Sequence, residues 1–167
     1  MKNLTLSLIT LVAAASSQAS VTANCTDIRM IFGEQLNGNP TTLISADGTR
    51  LSFSGTRERS SRYEYSTRLT LFNPLLATGL FQHMEIRLVA RTNRTEIPVQ
   101  VWAIKPIGGP EHIATRSMAT SDRTYRNARR GNVGRINQPG GKVQIHLFAH
   151  SAQPFRHTYD QVSVTFF

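Results

Sequence analysis

Apolar and polar residues alternate with a period of two along most of the chain, the spacing that indicates β-strands. In each run one set of alternate side chains is apolar and the other is mostly polar, as in antiparallel strands that cover one core. The clearest runs are residues 51–53, 69–71, 84–90, 99–103, 143–149 and 162–166. The pattern predicts an all-β fold of about seven or eight strands.

Clusters of Asn, Asp, Gly and Pro, which favour turns, separate these runs. They lie at residues 37–40, 47–48, 73–74, 108–110 and 139–141. No apolar pattern with a helical period of useful length follows the first 19 residues. Strands joined by turns, without helices, predict a β-sandwich or a small closed barrel.

The first 19 residues have the pattern of a secretory signal peptide. A basic start at Lys2 precedes an apolar stretch, residues 4–15, that is too short to span a bilayer. Small residues ending at Ala15 and at Ala19 both supply an acceptable cleavage site. We therefore predict a signal peptide over residues 1–19, an exported protein, and cleavage after Ala15 or Ala19.

Composition places the remaining chain among folded single domains. Of 167 residues, 40% are hydrophobic and 17% are charged, which is not the composition of a disordered chain. The single cysteine, Cys25, excludes an intrachain disulfide and a cysteine-based zinc site. An unpaired thiol in an exported protein is expected to point into a core.

No set of residues for catalysis or for a cofactor is evident. The sequence has no glycine-rich phosphate loop, no His-Glu-x-x-His motif and no paired cysteines. His146 and His150 share one side of a strand but lie about 13 Å apart, too far to hold one metal ion without a third element. We interpret them as solvated histidines and Trp102 as a packing residue, with a platform for a sugar as the alternative for Trp102. The prediction is a non-enzyme without metal or cofactor.

Positive charge is the main chemical signal. The formal net charge is +9, and two arginine-rich stretches, residues 57–62 and 123–135, are interpreted as loops. Arginine binds carboxylate, sulfate and phosphate through paired hydrogen bonds. One hypothesis is therefore a secreted β-sandwich that binds anionic glycans or other polyanions, whereas nucleic acid is not expected as a partner. The candidate contacts are Arg57, Arg59, Arg62, Arg126, Arg129 and Arg130; the alternative is that these loops are simply solvated.

The first strand after the signal, residues 20–32, has no turn that joins it to a neighbouring strand. Val21, Ala23 and Cys25 share one side, and Ile28 and Met30 continue the apolar pattern after a shift of one residue. Such a strand can pair within its own sheet, or it can be added to the sheet of another chain.

Four short motifs resemble, in this order, the major subunits of alpha-type (class 5) chaperone–usher fimbriae, the family of colonization factor antigen I. They are Val21-Thr22-Ala23-Asn24, Ala46-Asp47-Gly48-Thr49, Ile97-Pro98-Val99-Gln100-Val101, and a last segment with residues 142–149, Pro154, Tyr159 and residues 162–167. The resemblance implies an immunoglobulin-like β-sandwich over residues 33–167 that lacks one strand. It also implies that residues 20–32 are a donor strand for a neighbouring subunit, with Val21, Ala23, Cys25, Ile28 and Met30 as its plugs.

The same resemblance implies a function, a location and partners. The function is that of a structural major subunit, which polymerises by donor-strand exchange into a surface fimbria and supports cell adhesion. The implied route leads through the periplasm to the cell surface. The implied partners are identical or related pilin subunits, a periplasmic chaperone, an outer-membrane usher and host-surface glycans.

Overall fold

The alternating sequence forms ten strands and two short 3-10 helices in a computed structural model of the chain, which describes residues 20–38, 50–57, 60–78, 80–131 and 133–167. The strands are β1 (Val21–Phe32), β2 (Glu34–Asn37), β3 (Leu51–Ser54), β4 (Tyr63–Phe72), β5 (His83–Thr92), β6 (Ile97–Ile104), β7 (Pro110–Met118), β8 (Arg123–Arg130), β9 (Lys142–Ser151) and β10 (Arg156–Phe166). The 3-10 helices are Pro74–Ala77 and Val133–Ile136. The predicted signal peptide and the Ala46–Thr49 motif lie outside the described residues. Within the described ranges, no helix has the length and hydropathy needed to cross a membrane.

The strands form two antiparallel layers. In the first layer, β10 pairs with β5 along most of its length and with β3 and β1 at its two ends, while β8 pairs with β5 and β2 with β3. The second layer has the strand order β1-β4-β9-β6-β7. Tyr65 of β4 connects the two, because its hydroxyl lies 2.8 Å from the hydroxyl of Tyr159 on β10, a strand with which β4 does not pair. The predicted β-sandwich is confirmed.

β1 belongs to both layers. Residues 21–24 pair with β10, and residues 24–32 pair with β4. The register shifts between Cys25 and Asp27, and a bulge of this kind changes which side of a strand a residue faces. This bulge explains the one-residue shift of the apolar pattern in the sequence, because it allows both Cys25 and Ile28 to pack against the core.

In this structure β1 completes the sandwich of its own chain, which differs from the expected donation to a neighbour. Ala23 and Cys25 are buried, and Val21, Ile28 and Met30 pack against the core. All five predicted plugs therefore fill the space between the layers of the chain that carries them, because β1 lies between β10 and β4. The predicted burial of Cys25 is confirmed. Exchange of β1 between copies stays a prediction.

The stretch 123–135 is not a loop, contrary to the sequence prediction. Its first part is β8, which pairs with β5 over eight residue pairs, and its last part includes the second 3-10 helix. The period of two is present, but the side chains that face inward on β8 include Tyr125 and the fully buried Asn127. The Asn127 amide donates a hydrogen bond to the Ile86 carbonyl, which satisfies it inside the fold. Because a polar residue stands at an inward position, the apolar alternation is interrupted and the sequence pattern did not predict this strand.

Candidate functional site

The outer surface of the second layer carries a group of aromatic and imidazole rings. Its strands turn alternate residues to the core, so the intervening residues point away from it. On β6, for example, Val99, Val101 and Ala103 are fully buried, whereas Gln100 and Trp102 are only partly buried. We call this surface the aromatic face; its rings are Phe32, Trp102, His112, His146, Phe148 and His150.

One row of side chains runs across all five strands of the aromatic face. Arg29 lies opposite Arg68, Arg68 opposite His146, His146 opposite Trp102, and Trp102 opposite His112. Four spacings between strands give the row a length of about 19 Å. The row has two guanidinium groups at one end and an indole next to an imidazole at the other.

Trp102 is fixed in this row by its neighbours. Its ring packs edge-on against His112, with centroids 4.8 Å apart, and its Nε1 donates a hydrogen bond to Gln100 Oε1 over 3.2 Å. His112 is in turn bonded through Nε2 to the Thr115 hydroxyl at 3.0 Å. The indole is therefore held in one orientation while part of its surface stays accessible.

A second row lies beside the first. Phe32 lies opposite Ser66, and Ser66 opposite Phe148, whose ring centroid is 6.1 Å from that of Phe32. Phe148 lies opposite Gln100 and also contacts the His150 ring at 5.6 Å. The two rows place apolar rings and hydrogen-bonding groups side by side on one surface.

The surroundings of His146, at the centre of this surface, favour the neutral form of its imidazole. Partial burial, and secondarily the charge of Arg68, lower the pKa of His146 below its ordinary value. Its Nε2 lies 2.6 Å from the Ser66 hydroxyl. A neutral imidazole offers one donor and one acceptor, so the remaining ring nitrogen is suited to bind a hydroxyl group.

The position of Trp102 differs from the interpretation as a packing residue. It lies on the outer surface because the alternation of β6 continues without interruption and aliphatic residues occupy every inward position. His146 and His150 lie on the same surface, where sequence placed them, although both are partly buried rather than fully solvated. In the described ranges no group of three or more His, Cys, Asp or Glu could hold a metal ion.

The arginines predicted as anion contacts that the structure describes, which are five of the six, lie on different elements and do not form one site. Arg57 and Arg62 are exposed at the connection between β3 and β4, where the Arg57 guanidinium lies 4.3 Å from the centre of the Tyr63 ring. Arg59 lies outside the described residues. This connection has no strand between residues 60 and 62, in agreement with the predicted loop.

The other three arginines are separated by the alternation of β8. Arg126 and Arg130 are exposed on the outer surface of the first layer, and Arg126 pairs with Glu85 at 3.4 Å. Arg129 points to the other side and forms a 2.6 Å ion pair with Glu111, which also attracts Lys105 at 3.6 Å. Two of the three guanidinium groups therefore already have a carboxylate partner in the chain.

Comparison with known proteins supports the fold. No protein-family model matches the chain, and no curated protein matches its sequence. A solved xylan-binding module, CBM15, is similar with a TM-score of 0.54 at 17% identity, covering 89% of this chain and 96% of that module. Xylanase 10C from Cellvibrio japonicus, in complex with xylopentaose, is similar with a TM-score of 0.53 at 18% identity, covering 85% of this chain. An exo-β-agarase is similar with a TM-score of 0.50 at 10% identity, also over 85% of this chain. This chain spans 27% and 23% of those two enzyme chains.

Proposed function

We propose that the protein is a glycan-binding β-sandwich and that the aromatic face is its binding surface. The observation that carries the proposal is the partly accessible Trp102 ring, which lies in a row of polar side chains across five strands. A sugar has an apolar face that packs on an indole and a rim of hydroxyl groups that need hydrogen-bond partners. The fold shared with a xylan-binding module supports the same class of ligand.

The roles of individual residues follow from the geometry. Trp102 supplies the apolar platform, and His112 holds it in place by the edge-on contact. His146 lies opposite the platform on β9 and Gln100 lies two residues from it on β6, and both supply polar atoms for hydroxyl groups. Rings and amides that are already fixed lose little entropy when a ligand binds, which favours affinity. The proposed activity is therefore binding without catalysis, in a protein that we propose to be exported by residues 1–19.

Trp102→Ala is expected to weaken glycan binding by about 30-fold or more, because a central tryptophan of an interface typically contributes 2 kcal/mol or more. The measurement is isothermal titration calorimetry with oligosaccharides chosen from affinity electrophoresis against xylan, agarose and acidic polysaccharides. Phe72→Ala is the matched control, since Phe72 is an exposed aromatic residue on the same layer, about 13 Å along β4 from the row. Equal losses in both variants, or no glycan bound by the unaltered protein, would contradict the proposal.

A fimbrial subunit is a second candidate, favoured by one specific observation. β1 lies between β10 and β4, so its removal would leave two strand edges and part of the core uncovered. The same site could be filled by residues 20–32 of another copy, with a periplasmic chaperone and an outer-membrane usher as the partners of assembly. The two proposals are compatible, because Trp102 and His146 of the aromatic face lie on β6 and β9, which strand exchange leaves in place. A donated copy of β1 would supply Arg29 and Phe32 of that face again.

Strand exchange has a direct readout in Cys25. Burial raises the pKa of this thiol to about 11, so it is expected to resist labelling by a thiol reagent at pH 8 while β1 stays in place. In an exchanging subunit, a fluorescent peptide of residues 20–32 that carries Cys25→Ser enters the protein, and Cys25 of the protein becomes labelled at the same rate. The control peptide carries Ala23→Asp, which places a charge in the core. Failure of the unaltered peptide to enter, with Cys25 still protected, would exclude the second candidate.

A further inference from the structure

Two arginines occupy directly opposite positions at the end of the aromatic face. Arg29 of β1 and Arg68 of β4 are register partners in the second layer. Like charges that face each other across a strand pair destabilise a sheet. Such an arrangement calls for a negative group between the two, either from the chain or from a ligand.

The chain does not supply that group within the described residues. The ion pairs there involve Arg50, Arg91, Lys105, Arg126, Arg129 and Arg135, and none includes Arg29 or Arg68. The nearest acid along β1 is Asp27, two residues away on the same side and about 7 Å distant along the strand. The Nε of Arg68 is in addition buried without a hydrogen-bond partner, which is an unfavourable state for a charged donor.

Space for a ligand lies at the same place. A cleft of about 290 Å³ is lined by Arg29, Met30, Ile31 and Arg68. Both arginines of the opposed pair therefore line this cleft, together with two residues of β1. A planar guanidinium binds a carboxylate or sulfate through two parallel hydrogen bonds, and two guanidinium groups can share one such anion.

The cleft is continuous with the aromatic face. Arg68 lies two strands from Trp102, with His146 between them, which is a separation of about 10 Å across the sheet. A sugar packed on Trp102 and an acidic sugar at the arginines can therefore belong to one chain. A polysaccharide can reach both places, whereas an isolated small ion occupies only the cleft.

We propose that the Arg29–Arg68 cleft binds the carboxylate or sulfate group of an acidic polysaccharide whose neighbouring sugar packs on Trp102. The inference rests on the proposed function, because it assigns the ligand class of the same surface. It assigns the anion contacts to Arg29 and Arg68 instead of to the arginines of β8. Arg29 and Arg68 are then the residues that distinguish acidic from neutral glycans.

The test measures binding to two pairs of polymers, each with one acidic and one neutral member. The first pair is polygalacturonate and carboxyl-reduced polygalacturonate, and the second is dextran sulfate and dextran. The unaltered protein is expected to bind the acidic member of a pair about tenfold or more tightly, since a charged hydrogen bond contributes this much. Arg29→Gln and Arg68→Gln are expected to remove that preference while keeping the fold, because each variant relieves a like-charge contact. Thermal unfolding checks the fold, and the triple variant Arg126→Ser, Arg129→Ser, Arg130→Ser is the control.

The outcomes separate the two proposals. Equal binding of both members of each pair, still abolished by Trp102→Ala, would overturn the acidic site and leave the proposed function standing. A preference that survives Arg29→Gln and Arg68→Gln but disappears in the triple variant would overturn the site in favour of β8. Displacement of the polymer by sodium acetate or sodium sulfate at equal ligand concentration would overturn the polysaccharide as the source of the anion. Absence of binding to every polymer would contradict both proposals, whereas loss of the preference in Arg29→Gln and Arg68→Gln alone confirms the site.

Discussion

A chain that begins at Gly33 is expected to lose its cooperative unfolding transition. Deletion of residues 20–32 removes Ala23 and Cys25 from the core and Val21, Ile28 and Met30 from its margin. Full burial of one Val, Ile or Met side chain contributes about 1.5–3 kcal/mol, and these three side chains are partly buried, so each contributes about half of that. With Ala23 and Cys25 the combined loss is on the order of 5 kcal/mol, which is comparable with the total stability of a typical domain.

The deletion also breaks hydrogen bonds in both layers. β1 pairs with β10 over residues 21–24 and with β4 over residues 24–32, so both strands would acquire an unpaired edge. Urea unfolding followed by near-ultraviolet circular dichroism measures the effect. A chain of residues 20–167 is the control, and a peptide of residues 20–32 supplied in trans is expected to restore the transition. A stable, cooperatively folded Gly33–Phe167 chain would show that β1 is not needed to complete the core.

Acidification is expected to destabilise the protein through His157. This side chain is fully buried, and burial lowers its pKa from 6.5 to about 3. Its Nδ1 lies 2.8 Å from the Tyr65 hydroxyl, which in turn lies 2.8 Å from the Tyr159 hydroxyl. Phe53 and Phe155 surround these three polar groups, with ring centroids 5.4 and 5.8 Å from that of Tyr65.

The direction of the pH effect follows from proton uptake. Below pH 6.5 the unfolded chain protonates His157, whereas the folded chain does so only near pH 3. The contribution of His157 to stability is therefore complete above pH 6.5 and falls as the pH decreases toward 3. The free energy of unfolding is expected to fall by about 1.4 kcal/mol per pH unit in this window, or roughly 5 kcal/mol in all.

His157→Phe isolates this contribution from that of the carboxylates. At pH 7 the variant is expected to be less stable by about 1–3 kcal/mol, because the Tyr65 hydroxyl loses a partner. Between pH 6 and pH 4 its stability is expected to fall less steeply than that of the unaltered protein, by about 1.4 kcal/mol per unit. His83→Gln is the control, since His83 is exposed at the start of β5. Parallel pH profiles for His157→Phe and the unaltered protein would contradict the buried neutral imidazole.

The fold class followed from the sequence because inward residues of most strands are apolar. β6 and β9 show this most clearly, since every second residue of each is a buried aliphatic residue. The sequence did not predict β8, because the polar residue Asn127 occupies an inward position, where its side chain is hydrogen-bonded to a backbone carbonyl of β5. Such a partner is fixed by the register of two strands distant in sequence, which a local pattern does not contain.

The candidate site was harder to predict than the fold. Trp102 has the parity of an outward residue, and this signal was available in the alternation of β6. The sequence did not indicate that Arg29 and Arg68 lie opposite each other, because this depends on the pairing of β1 with β4 and on the bulge at Cys25. Density of arginine in the sequence pointed to residues 123–135, where Glu85 and Glu111 already pair with two of the side chains.

The pairing of Val21 with Phe166 has a consequence for the order in which the molecule forms. Residues 24–32 of β1 can pair early with β4, whereas residues 21–24 wait for β10, which follows all the other described strands in the chain. Contacts between residues so distant along a chain close slowly, because loop-closure entropy is lost before the contact is gained. Until β10 is synthesised, that edge of β1 is therefore available to another strand, including one in a neighbouring chain.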